Sequence, residues 1–176
     1  MQSYERVYVL ALEDRKFYVG TTLREIETRY SEHAQGWGSR WTSTHMPRRC
    51  VCWMRVPQGK SGRVENEITR YLMMKYGWGQ VRGGDWVFVR CRSRSWLPTE
   101  MRLLGPGDVL ELHRSRMSHF LPETRRLIEF LEVTGGLENA KQLNADSFPE
   151  VTLRCFTNHF HHVHTPHTVA VPLCAK

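Results

Sequence analysis

Apolar residues run together over two short stretches near the start of the chain, then recur at helical spacing. Val7 to Leu12 is a β-prone run, Glu13-Asp14-Arg15 interrupts it, and Lys16 to Gly20 resumes it. Two such runs around a short polar break predict an antiparallel hairpin. With an odd number of residues in the connection, Leu12 faces Lys16 and cross-strand partners sum to 28. Side chains alternate along a strand, so Tyr8, Leu10, Tyr18 and Gly20 then share one face. Thr22-Leu23-Arg24-Glu25 has capping-box spacing and predicts a helix from about Leu23 to Ala34, ending near Gly36. Arg29 and His33 fall four apart on it, on one side.

A loop should run from Gly36 through Met46-Pro47, followed by a third strand over Arg49 to Val56. Pro57-Gln58-Gly59-Lys60-Ser61-Gly62 is rich in turn formers. The next helix should span about Arg63 to Tyr76 and stop at Gly77. Val64, Ile68, Tyr71, Leu72 and Lys75 form its apolar stripe, with the Lys75 head reaching water. Trp86 to Val89 could add a short strand. Two further helices are expected, Asp108 to His119 and Pro122 to Glu132, the second with proline in its first turn and Gly135-Gly136 beyond its end. The reading is α/β (α+β): a small three-stranded antiparallel sheet flanked by helices, with a helical C-terminal extension. A boundary within residues 93–106 divides a domain over 1–96 from a helical region over 97–176.

Composition narrows the class. At 176 residues with 40% hydrophobic content, the chain can bury a core, and no apolar run approaches the ~20 residues of a membrane span. The N-terminus lacks the basic-then-apolar pattern of a secretory signal. The five cysteines lack disulfide-framework spacing. An intracellular protein, cytoplasmic or nuclear and not secreted, is expected, with reduced thiols and no membrane partner. The net charge of +7 sits in the front half, where residues 1–96 carry 17 Lys and Arg against nine Asp and Glu. Clustered arginine suits a polyanion, whose phosphates release counterions on contact.

The candidate chemistry lies in that basic half. Tyr8, Tyr18, Arg29, His33 and the pair Glu65/Glu67 occur in order, followed by Val81-Arg82-Gly83-Gly84-Asp85-Trp86. Phosphodiester hydrolysis needs a deprotonated nucleophile, stabilised phosphorane charge and a neutralised leaving oxygen. One carboxylate can hold a divalent ion, an arginine can steady phosphate oxygens, and a tyrosine with its pKa lowered by cations can take a proton that a histidine relays. Periodicity places Glu65 and Glu67 on opposite flanks of the apolar stripe and does not choose between them.

This order of motifs resembles the GIY-YIG nuclease family, in the branch with a Val-Arg-Gly-Gly-x-aromatic ending, over roughly the first half of the chain. Arg6 stands where that family's first half-motif usually has glycine. The resemblance implies a metal-dependent endonuclease hydrolysing DNA phosphodiester bonds with Mg²⁺ or Mn²⁺. It implies Tyr8, Tyr18, Arg29, His33 and Glu65 as catalytic residues. Glu65 is the favoured metal ligand because Glu-x-x-x-Thr fits the branch, and Glu67 is the alternative. It gives Gly20 the role of letting backbone pass close to the substrate. Arg40, Arg48 and His45, in a loop that interleaves arginine with tryptophan, and Arg82 are expected at the nucleic acid. Gly83-Gly84 is expected to make a tight turn that delivers Trp86 to the core. The tail from Cys155 to Cys174 holds five histidines and could bind Zn²⁺, although its spacing fits no standard finger. The C-terminal region could instead dimerise or bind a protein partner. The alternative reading of the whole chain is a catalytically inactive nuclease-like module that binds nucleic acid or protein.

Overall fold

The expected hairpin forms. In the computed structural model, which describes residues 3–89, 97, 117–133 and 151–152, β1 (Tyr4–Leu12) and β2 (Phe17–Thr22) are antiparallel. Tyr8 lies opposite Gly20 and Leu10 opposite Tyr18. Asp14 and Arg15 in the turn both take positive φ, and the Lys16 amide donates to Glu13 O at 3.1 Å. Two successive left-handed residues twist the connection in the sense the strands require.

β3 (Pro47–Pro57) pairs antiparallel with the other edge of β1, Tyr8 facing Trp53. The pairing skips one residue between Val9 and Leu10, so Cys52 turns to one face and Cys50 to the other. The sheet does not stop at three strands. β4 (Val81–Arg82) adds parallel to β2 and β5 (Val151–Thr152) antiparallel to β3, giving the mixed order β4-β2-β1-β3-β5. Each edge strand is two residues long, too short for an alternating pattern to announce.

Helices cover both faces. On one, Val7, Val9, Val19 and Met54 pack against α3 (Ser61–Tyr76) and α4 (Pro122–Val133), through Val64, Ile68 and Leu72 of the first and Leu127, Ile128 and Leu131 of the second. Burial of that stripe drives docking at roughly 1.5–3 kcal/mol per large side chain. Because α4 joins the core of the sheet, this part of the 97–176 region does not stand apart from the first 96 residues. On the other face Tyr8, Leu10 and Tyr18 pack with Ile26 and Tyr30 of α1 (Ile26–Ala34) and Trp41 of α2 (Arg40–Thr44).

Three local expectations change, and a fourth falls mostly outside the described residues. α1 begins at Ile26 because Thr22 Oγ1 accepts from the Arg24 amide at 3.0 Å, a turn rather than a cap, while Glu25 pairs with Arg6. The loop after it contains α2, capped by Ser39 Oγ, which accepts from the Thr42 amide at 3.2 Å. Trp86 to Val89 is not a strand: Trp86 bridges back to Gly83, and Val87 and Phe88 are exposed. Of the helix expected over Asp108 to His119, only Met117–His119 is described, as a 3-10 turn. The Cys155–Cys174 tail and the 93–106 boundary lie outside the described residues, Leu97 excepted. Among the described residues no helix is long and apolar enough to cross a membrane.

Candidate active site

Strand alternation puts Tyr8 and Tyr18 on one face, with ring centroids 6.3 Å apart. Gly20, opposite Tyr8, leaves room for both rings: a Cβ there would meet the Tyr8 hydroxyl at 2.6 Å and the Tyr18 ring at 2.8 Å. Its role in this geometry is to admit the tyrosines. α1 crosses that face and delivers two side chains, one turn apart, to a single oxygen. Tyr8 Oη lies 2.8 Å from His33 Nε2, and Arg29 Nε donates to it at 3.2 Å. The other Arg29 bond goes from Nη1 to Glu32 at 2.7 Å.

The His33 tautomer is assigned from this network. His33 Nδ1 lies 2.7 Å from Thr42 Oγ1, whose own proton goes to Ser39 O at 2.9 Å. Nδ1–H therefore donates to Thr42, and the bare Nε2 accepts the Tyr8 proton. The reverse tautomer would leave the Tyr8 hydroxyl receiving two donors with no acceptor for its own proton.

Electrostatics agree. Burial, then Arg29, pushes the fully buried His33 down to about 4, so the imidazole is neutral. Burial, reinforced by Tyr18, lifts Tyr8 well above the ordinary phenol range despite Arg29, and burial with Glu65 raises Tyr18. The expectation of a tyrosine lowered by cations is thus reversed, because desolvation of a phenolate outweighs one neighbouring guanidinium. Partial burial opposes the Arg29 charge, but Glu32 and the tyrosines outweigh it and hold the guanidinium cationic. Tyr8 is poised to exchange a proton through His33 rather than to stand ionised.

The two glutamates separate. Glu67 Oε2 accepts from Thr124 Oγ1 and from the Leu121 amide at 3.2 Å, while Oε1 accepts from Arg63 Nε at 2.8 Å. These bonds tie α3 to the start of α4. Glu65 points elsewhere: its Oε1 accepts from the Gly84 amide at 2.8 Å, and Thr21 of β2 also bonds it. Its charge acts on both tyrosines. Burial raises the Glu65 pKa, the Gly84 and Thr21 bonds oppose that, and Asp85 and Glu5 add to it. The Gly83-Gly84 turn brings the Gly84 amide to Glu65. Gly83 lies against the β2 backbone, Gly84 (φ +49°) against Asn66, and Trp86 reaches the core as expected.

The residues expected at nucleic acid divide as well. Arg40 and Arg48 are exposed. Arg82 is not available: it is 2% exposed, donates to Trp78 O and Phe88 O at 2.6 Å each, and stacks on Trp41 at 4.4 Å. Parallel pairing beside Tyr18 turns it inward, where backbone carbonyls satisfy it. His45 contacts Asp14 of the hairpin turn at 3.3 Å and the Trp41 ring of α2, not the tyrosines. Sequence reasoning missed Ser39 and Thr42, which orient His33, and Gly38, where a Cβ would overlap the imidazole. Ser39 as a possible N-cap is the one signal in the chain that could have pointed to them. Comparison of the chain with protein-family models, with curated proteins and with solved structures finds no significant match in any of the three.

Proposed function

We propose that this chain is a metal-dependent endonuclease that hydrolyses DNA phosphodiester bonds, of the kind its motif order resembles. The observation that carries the reading is the arrangement at one oxygen: Tyr8 donates to a neutral, buried His33 and accepts from Arg29. As water attacks phosphorus, its proton passes to Tyr8 Oη while the Tyr8 proton passes to His33 Nε2. Water loses one proton, His33 gains one, and Tyr8 is unchanged. Thr42 holds the ring in register through Nδ1, and Glu32 favours the imidazolium that forms. Positioned proton transfer of this sort contributes roughly 10²–10⁴-fold. Arg29 keeps N–H groups beyond those given to Tyr8 and Glu32, and these suit the phosphorane oxygens.

Glu65 fits a hard divalent cation. It is one carboxylate whose proton affinity is raised by burial and by Asp85 and Glu5, a field that a cation would offset. A Mg²⁺ or Mn²⁺ ion held by one carboxylate keeps most of its waters, so Glu65 would be its one protein ligand in this reading. When bound, such an ion supplies Lewis-acid polarisation of the phosphate and charge for the leaving oxygen. The basic charge of residues 1–96 supports a DNA partner.

The test is cleavage of labelled duplex, flap, four-way junction and single-stranded DNA with Mg²⁺, Mn²⁺ or EDTA. Metal-dependent cutting that Glu65→Gln abolishes and Glu67→Gln retains is expected. DNA binding without cutting on any substrate would sink the catalytic reading and leave a binding module.

A further inference from the structure

The segment from the end of α1 through α2 holds two tryptophans with opposite fates. Trp41 is 3% exposed, donates from Nε1 to Phe17 O at 3.1 Å, and packs on His45 and Arg82. Trp37 is 75% exposed. A tryptophan can bury on the order of 150–250 Å², and Trp37 forgoes most of that. Its backbone is nevertheless held firmly. The Trp37 amide donates to Glu32 O at 2.8 Å, the Gly36 amide to His33 O at 3.0 Å, and Ser43 Oγ to Gly36 O at 3.0 Å. Gly36 takes φ +81°, and Gly38 packs so closely on His33 that a Cβ would overlap the ring. The indole is therefore presented to solvent from a rigid mount. Successive Cα atoms are 3.8 Å apart, so the Trp37 Cα lies within about 7 Å of the imidazole. Tyr8 Oη lies a further 2.8 Å from Nε2, on the opposite side of the ring, so a phosphate at Tyr8 and Arg29 falls up to roughly 15 Å from the Trp37 Cα, a span of one to two nucleotides.

We propose that Trp37 is a stacking platform for an unpaired base within one or two nucleotides of the scissile phosphate, so that the site favours DNA with a single-stranded or flapped nucleotide there over continuous duplex. A paired base has both faces covered by its neighbours, whereas an unpaired one offers a free face to the indole. The exposed Arg40, three residues on, is placed to meet the backbone of the same strand. The proposal rests on the nucleic-acid reading of this site, and its test does not need cleavage.

In EDTA, the full chain is titrated into short single strands carrying 2-aminopurine, and into blunt duplexes of the same sequence. The parent should alter the fluorescence of the single strands and bind them more tightly than duplex. Trp37→Ala should lose roughly 5- to 150-fold in single-strand affinity, the range that stacking one base is worth. Its duplex affinity and melting temperature should be unchanged, and Trp37→Phe should retain most of the effect. Equal losses on both DNAs, no loss, or no fluorescence change with the parent would each overturn the proposal. A parent that stacks the probe but cuts nothing in Mg²⁺ would refute hydrolysis and leave the platform standing.

Discussion

Acidifying the protein should destabilise it through His33 by an amount the structure specifies. The imidazole is fully buried, and burial with Arg29 pushes its pKa to about 4 from an ordinary 6.5. Between those values the unfolded chain holds a proton that the folded one refuses, so unfolding takes up a proton and is favoured by acid. The His33 contribution is therefore fully present above about pH 6.5 and is lost as pH falls towards about 4. The whole gap corresponds to about 3 kcal/mol, a large part of a typical stability of roughly 5–15 kcal/mol. Glu65, whose pKa is raised, acts in the opposite sense, so the parent curve alone does not isolate the histidine. The assay compares urea unfolding of the parent and His33→Gln at a series of pH values in that range. The variant should start less stable, since Tyr8 and Thr42 lose a partner, but its stability should fall less steeply with acid. Parallel curves would refute the reasoning. NMR titration of the parent gives a second reading: a His33 imidazole that protonates near pH 6.5 would refute it independently.

Other substitutions separate structural from chemical roles. Glu67→Gln should cost on the order of 2–3 kcal/mol in chemical denaturation, because a charged acceptor bonded to both helices is replaced by a mismatched amide. Gly38→Ala should lower stability by about 1–3 kcal/mol through overpacking against His33 and cut turnover with it; a variant as stable and active as the parent would contradict the close packing. Arg82→Met should lower the melting temperature while leaving the salt dependence of DNA binding unchanged, since a guanidinium spent on carbonyls and Trp41 releases no counterions. A shallower salt slope would return Arg82 to the DNA surface.

What the sequence by itself determined are relations between near neighbours. The odd-numbered turn and two-residue alternation set the hairpin register, and hence the shared face of Tyr8 and Tyr18, because pairing around a short loop leaves few alternatives. The helical period placed Arg29 and His33 on one side of α1 for the same reason. The apolar stripe of α3 and the bounds of α4 were legible likewise. Relations between distant residues were not. Glu65 and Glu67 are equivalent by periodicity, and they part only when Thr124 of α4 and the Leu121 amide just before it claim Glu67 and the Gly84 turn claims Glu65. Glu25 looked like a cap until Arg6, 19 residues earlier, took it. Arg82 looked like a surface cation until β4 paired beside β2 and turned it onto Trp41. The tyrosine pKa values followed burial, which the whole core decides, rather than the cations visible nearby in the chain. Periodicity reports which way a side chain points from its own backbone; only docking of the elements decides what it meets there, and whether water remains.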